Sequence, residues 1–217
     1  MNLEQARFNM IEQQIRTWEV LDQDVLDLLY VVKREEFVPQ AYRQLAFADT
    51  EIPLGHGATM LPPKLEAHAL QALKLRKADR VLEIGAGSGY MAALLAAHAA
   101  HVLTVEIVPQ LAEMAAANLK RQSIGNVIVS SGDGSLGWPA QAPYDAIMVS
   151  GALPALPQQL LDQLKISGRM VAFVGEAPLL EAQLITRTSE RTFTTARLFE
   201  TQVPALVAAR QTPRFSF

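Results

Sequence analysis

Val81-Leu82-Glu83-Ile84-Gly85-Ala86-Gly87-Ser88-Gly89-Tyr90 is the stretch that decides the fold of this chain. A β-rich run enters a turn with glycine at every second position, and apolar helix-forming residues follow as far as His98. A strand that passes through such a turn into a helix brings backbone close to a ligand at a helix amino terminus. A dinucleotide turn needs G-x-G-x-x-G, with a small last residue so that helix and strand pack tightly. Here that last position is Tyr90, which breaks the pattern.

Outward from this turn, short β-rich runs recur at 80–84, 101–106, 126–131, 144–150 and 169–175, separated by helical stretches at 88–98, 108–122 and 156–165. Strands alternating with helices predict right-handed crossovers and a doubly wound, mostly parallel α/β sheet with helices on both faces. After Gly175 the runs 179–188 and 192–200 have no helix between them and predict an antiparallel pair at one edge. Before the core, residues 3–32 carry helical spacing. Leu3, Met10, Ile11 and Ile15 form one apolar stripe, and Val25, Leu26, Leu29 and Val32 form another, with Asp22 placed to cap the second helix. From Phe37 to Pro63 the pattern dissolves among four prolines and two glycines, the mark of a long functional loop. A helix is expected again over 65–75.

Composition bounds the rest. The chain has 217 residues, half of them hydrophobic and 19% charged, which suits one domain with a sizeable core. A net charge of −3 and a pI near 5.8 argue against nucleic acid as the main partner, because neutralising phosphates needs a basic surface. With no cysteine, disulfides, thiolate metal sites and cysteine nucleophiles are excluded, and a reducing compartment is compatible. The amino-terminal residues lack the basic-then-apolar order of a secretory signal, and 91–105 is interrupted by His98 and His101 and too short to span a membrane. A soluble, cytoplasmic protein is expected. His98 and His101 are too isolated for a metal site. Trp18 and Trp138 read as packing residues, and Asp145 as a turn residue or a support to another group.

The form E-x-G-x-G-x-G, with Glu83 at the strand end, resembles the S-adenosylmethionine (SAM) methyltransferase pattern. A cationic sulfonium suits an acidic neighbour better than a pyrophosphate would. Glu106 ends the next strand, where a carboxylate can accept from two ribose hydroxyls. Gly132-Asp133-Gly134 ends the third, where an aspartate can face the adenine amino group. The expected cofactor-binding set is Thr59, Glu83, Gly85, Ala86, Gly87, Ser88, Gly89, Glu106, Ile107, Gly132, Asp133 and Gly134. The expected organisation is 1–78 as helices and a loop covering substrate and cofactor, 79–200 as the SAM-binding core and 201–217 as a tail, within one compact domain.

Beyond the cofactor turn, Val32-Lys33-Arg34-Glu35-Glu36-Phe37-Val38-Pro39 resembles the "xVxREXFVP" segment of the protein-L-isoaspartate O-methyltransferase family. Residues 52–63, IPLGHGATMLPP, resemble its "lPIGxGQTISqP" loop. Val105-Glu106, Gly132 to Gly134, Gly137-Trp138, 143–147 and 168–175 fall in step. The resemblance runs from about residue 5 to 190. It implies a Rossmann-like fold and methyl transfer from SAM to the free carboxylate of isoaspartyl residues in damaged proteins or peptides, leaving S-adenosyl-L-homocysteine (SAH). In the family the serine of "TIS" has the catalytic role. Here Thr59 is kept, but Leu61 holds the serine position, Ala58 and Pro62 replace two glutamines, and 201–205 (TQVPA) lacks the basic residue of the family's "RFVPL" segment. His56 and Thr59 are the candidates to restore polarity. Losing one placed hydrogen bond costs roughly 1–3 kcal/mol, or about one to two decades of rate. Two other functions stay open: transfer to a different acceptor, and binding of SAM or SAH without transfer. An NAD-linked oxidoreductase is disfavoured by Tyr90.

Overall fold

The structure is a computed structural model that describes residues 2–209. The last eight positions of the expected tail, 210–217, lie outside the described residues.

The amino-terminal segment is helical as its spacing predicts. Helix α1 (Leu3–Asn9) widens into a π-helical turn over Met10–Ile15 and tightens over Arg16–Trp18, and α2 spans Gln23–Val31. Met10, Ile11 and Ile15 are fully buried, whereas Leu3 is largely exposed. The Asp22 carboxylate accepts from the Asp24 N–H at 3.0 Å and caps α2. The long segment expected as loop contains a hairpin, β1 (Ile52–Gly55) and β2 (Ala58–Met60). Strands of four and three residues are too short to show alternation in sequence. Helix α3 (Pro63–Leu73) follows.

The core sheet is built from β3 (Arg80–Ile84), β4 (His101–Glu106), β5 (Val127–Ser131), β6 (Tyr144–Leu153), β7 (Leu164–Glu176), β8 (Leu179–Arg187) and β9 (Phe193–Thr201). Their spatial order is β5-β4-β3-β6-β7-β8-β9, parallel from β5 to β7 and antiparallel at the β8–β9 edge. The chain therefore leaves β3 in one direction, through β4 and β5, and returns to its other flank with β6. That reversal is the switch point at which such sheets bind ligands.

Alternate residues of the central strands feed two cores. Val81, Val102, Ala146 and Met148 face one, with the amino-terminal helices, α3, α4 (Tyr90–His98) and α5 (Pro109–Arg121). Leu82, Leu103, Ile147 and Val149 face the other. The period of two along each strand produces this split. Helix α4 is apolar all round and correspondingly buried through most of its length. The second face is thinly covered. Its helix α6 occupies only Gln158–Leu161, against the 156–165 expected from sequence. Leu160 and Leu164 suit a helical spacing, but Leu164 already pairs with Tyr144 as the start of β7. The rest of that cover comes from Trp138 and from Leu206 and Ala209 of the segment after β9.

Gly89 begins α4 with φ +84°, and a Cβ there would stand 3.2 Å from Ala115 of α5. Both the left-handed backbone and the close helix contact call for glycine. Gly89→Ala is expected to lower stability by roughly 1–3 kcal/mol, read as a lower urea midpoint at unchanged slope. An unchanged midpoint would show that the turn relaxes freely.

Candidate active site

The ends of β3, β4, β5 and β6 and the turns beside them open into a groove of ≈ 710 Å³. Gly85, Gly87, Glu106, Ile107, Gly132, Asp133 and Gly134 line it together, with Thr59 and Leu61 from the hairpin side. These residues come from four separate stretches of chain.

Glu106 ties the glycine turn to the next strand. Its Oε2 accepts from the Gly87 N–H at 2.9 Å and its Oε1 from the Val108 N–H at 3.0 Å. Asp133 Oδ1 accepts from the Ser135 N–H at 2.8 Å. Each carboxylate oxygen carries two lone-pair sites, so both groups keep capacity for a further donor. Two acceptor carboxylates at neighbouring strand ends, beside a turn of bare backbone, suit a ligand rich in hydroxyl and amino donors.

The other expected site residues lie elsewhere. Glu83 has no exposed surface and does not line the groove. It sits in a smaller cavity of ≈ 280 Å³ behind it, with Thr59, Leu61, Glu66, Ala86, Ser88 and Ser150. The Thr104 hydroxyl donates to Glu83 at 2.7 Å and the Ser150 hydroxyl at 3.0 Å. Burial pushes the Glu83 carboxyl up to about 8. The hydrogen bonds from Thr104 and Ser150 oppose this, and the nearby Glu66 and Glu106 carboxyls add to it. Burial thus favours the protonated form of Glu83. Ser88 supports α4 and α5: its carbonyl accepts from Asn118 Nδ2 at 2.8 Å. Gly89 packs on Ala115 rather than facing the groove.

Of the acceptor-side candidates, His56 is exposed at the hairpin tip with φ 54° and is not part of the groove lining. Thr59 lines the groove, and its hydroxyl donates to Glu51 at 2.9 Å. The Leu61 side chain is buried but borders both cavities, and its carbonyl accepts from Arg34 at 2.6 Å. Asp145 lies at the opposite end of the sheet. It accepts from the Arg80 N–H at 2.9 Å and pairs with Lys165 at 2.8 Å, a structural role. Trp138 packs over Gly132, and the Lys64 ammonium stands 3.7 Å from the centre of the Trp18 ring.

Sequence reasoning missed two groups of lining residues. Ser150 and Gly151 come from β6, whose place beside β3 cannot be read from chain order. Residues 204–208 cross the groove after β9, held by hydrogen bonds from the Ala152 N–H to the Pro204 carbonyl and from the Leu206 N–H to the Ala152 carbonyl. Gly151 permits this crossing: a Cβ there would stand 2.8 Å from Leu206. Among the described residues no helix is long and apolar enough to cross a membrane.

The chain matches one family of known proteins along most of its length. The sequence model of the protein-L-isoaspartate(D-aspartate) O-methyltransferase family matches residues 5–210. The chain is similar to protein-L-isoaspartate O-methyltransferase 1 of Geotalea uraniireducens, at 40% identity over 209 residues, covering 96% of this chain and 95% of that one. It is also similar to the protein of the same name from Rhodopseudomonas palustris, at 48% identity over 169 residues, covering 78% and 69%. A solved protein-L-isoaspartate O-methyltransferase superposes with a TM-score of 0.80 at 27% identity, covering 92% of this chain and 65% of that one. A Plasmodium falciparum chain solved with S-adenosyl-L-homocysteine shares the fold, with a TM-score of 0.77 at 21% identity, covering 95% and 98%.

The raised Glu83 pKa has a consequence for stability. The native state keeps a proton that the unfolded chain releases above 4.5, so stability falls as pH rises from there through about 8. Glu83→Gln removes this contribution. The stability difference between about pH 6 and about pH 8, from urea unfolding, is expected to be smaller in the variant. An unchanged difference would mean that Glu83 is ionised in the native state throughout.

Proposed function

This chain belongs to the protein-L-isoaspartate O-methyltransferase family, and we propose that its groove carries out SAM-dependent methyl transfer to isoaspartyl carboxylates. It is a SAM-dependent methyltransferase of that family. The observation that carries the assignment of the groove is that Glu106, Asp133 and the glycine turn line it together. In this reading Glu106 accepts from the ribose hydroxyls and Asp133 from the adenine amino group, while Gly85 and Gly87 keep side chains out of the way. When bound, SAM supplies a methyl group on a cationic sulfonium.

The acceptor carboxylate is already ionised, so no residue of the chain needs to take a proton from it. What remains for the protein is to align acceptor and methyl group in a line and to exclude water. Leu61, Leu206 and Val207 make the far side of the groove apolar and serve the second task. Isoaspartyl-bearing proteins as substrates and a cytoplasmic location are part of this proposal. So is the division into a covering segment 1–78, a SAM-binding core 79–200 and a tail from 201. One observation favours a second reading, transfer to a less polar acceptor: Leu61, Pro204, Ala205, Leu206 and Val207 together form an apolar wall.

Two measurements test this. Glu106→Ala is expected to weaken SAH binding by roughly 1–3 kcal/mol, about ten- to a hundredfold in Kd, in calorimetry. Unchanged affinity would remove Glu106 from the ribose site. Leu61→Ser is expected to raise turnover of an isoaspartyl peptide at saturating SAM, because it returns a hydroxyl to the acceptor side. A fall in turnover would favour the less polar acceptor instead.

A further inference from the structure

Resting on that reading of the groove, we propose that Ser150 supplies the acceptor-facing hydroxyl that position 61 lacks. The groove and the cavity behind it share only a few lining residues: Thr59, Leu61, Gly85, Gly87 and Ser150. These mark the junction at which a methyl group held over the glycine turn would meet its acceptor. Two of them bear hydroxyls. That of Thr59 is directed away, to Glu51.

Ser150 lies within β6, immediately after the Val149–Ile84 pair that places it beside Gly85. Its Cβ is 3.6 Å from where a Gly85 Cβ would stand. The hydroxyl is therefore fixed to the same turn that carries the donor site. Leu61 lines both the same groove and the same cavity, so a hydroxyl on β6 and a hydroxyl at position 61 would border one acceptor site.

Glu83 behind Ser150 determines what that hydroxyl can do. Against a carboxylate, the Ser150 hydrogen is used up in the 3.0 Å contact, and its oxygen would face an anionic acceptor with lone pairs. With the Glu83 carboxyl kept neutral by burial, the acid can donate to Ser150 Oγ. The Ser150 hydrogen is then free to point into the groove, toward an acceptor oxygen. The groups that face Glu83 are compatible with this. Thr104 donates to its other oxygen, and the neighbouring Glu66 and Glu106 carboxyls disfavour its ionisation.

The test is a double-mutant cycle on the full chain, with an isoaspartyl peptide and saturating SAM, read as SAH formed, alongside SAH affinity by calorimetry. Ser150→Ala is expected to lower kcat about ten- to a hundredfold with SAH affinity unchanged. In a Leu61→Ser background, the same change is expected to cost less than about threefold, since two hydroxyls serving one acceptor are non-additive. Ser150→Gly removes the hydroxyl without adding any group and serves as the second variant if the alanine form folds poorly. Undiminished kcat, or the same loss in both backgrounds, would overturn the proposal and leave Ser150 a packing residue. Failure of the unaltered chain to bind SAH would overturn the groove assignment itself. SAH binding without turnover of the peptide would overturn the isoaspartyl reading and the role of Ser150 with it.

Discussion

The Arg34 guanidinium, buried where three parts of the chain meet, ties the amino-terminal segment to α3 and to the start of α4. It forms an ion pair with Glu66 of α3, donates to the Leu61 carbonyl and lies over the Tyr90 ring at 5.0 Å. A second buried pair, Arg7 with Glu35, anchors α1 to the same region. Charges this far from water are tolerated only with partners in place, and removing one partner from such a pair costs about 3–5 kcal/mol. The position of Leu61 at the groove, and the seating of Tyr90 where α4 begins, both follow from this one cation. Replacement of a polar side chain at position 61 by leucine leaves this hub intact, because Arg34 binds the backbone there and not the side chain.

The donor side of the groove rests on a different constraint, the parallel sheet itself. Strand β3 is the first of the sheet in chain order and the middle one of the five parallel strands, so β4 and β6 flank it and their carboxyl ends open in the same direction. Glu106 converts that arrangement into a rigid site, because its carboxylate binds the Gly87 N–H across the gap between β3 and β4. The side chain is thereby oriented before any ligand arrives. Such preorganisation reduces the ordering cost of binding.

On the acceptor side, the tertiary structure shows what surrounds the leucine that stands at the serine position of the family segment this stretch resembles. Residues 204–208 bring Leu206 against Gly85 and Gly151 and add apolar lining to the groove that Leu61 also lines. The polar side chains lining the cavity at the junction are those of Thr59, Glu66, Ser88, Ser150 and the buried acid Glu83, which Ser150 contacts. Burial that would be costly for an ionised Glu83 is relieved by protonation and by two hydroxyl contacts. A buried acid of this kind gives the site a polar centre without placing a second negative charge beside an anionic acceptor.

The alternation of β-rich and helical runs, the glycine turn and the strand-end acids Glu106 and Asp133 are local features. Their spacing within ten or twenty residues determined the fold class and the edge pair β8–β9 from sequence alone, and it singled out acids that the structure brings to one groove. Asp22 capping α2 was legible for the same reason. The hairpin β1–β2 was not, because strands of three and four residues carry no period, and α6 shrank because Leu160 and Leu164 fit a helix or a strand start equally well. The burial of Glu83 behind the groove, the meeting of Ser150 with Gly85, and the crossing of residues 204–208 depend on which strands become neighbours. Residue 150 is 65 positions from residue 85, and 206 is 121 positions away. Only the return of β6 to the free flank of β3, and the close approach that Gly151 allows, bring them to one site.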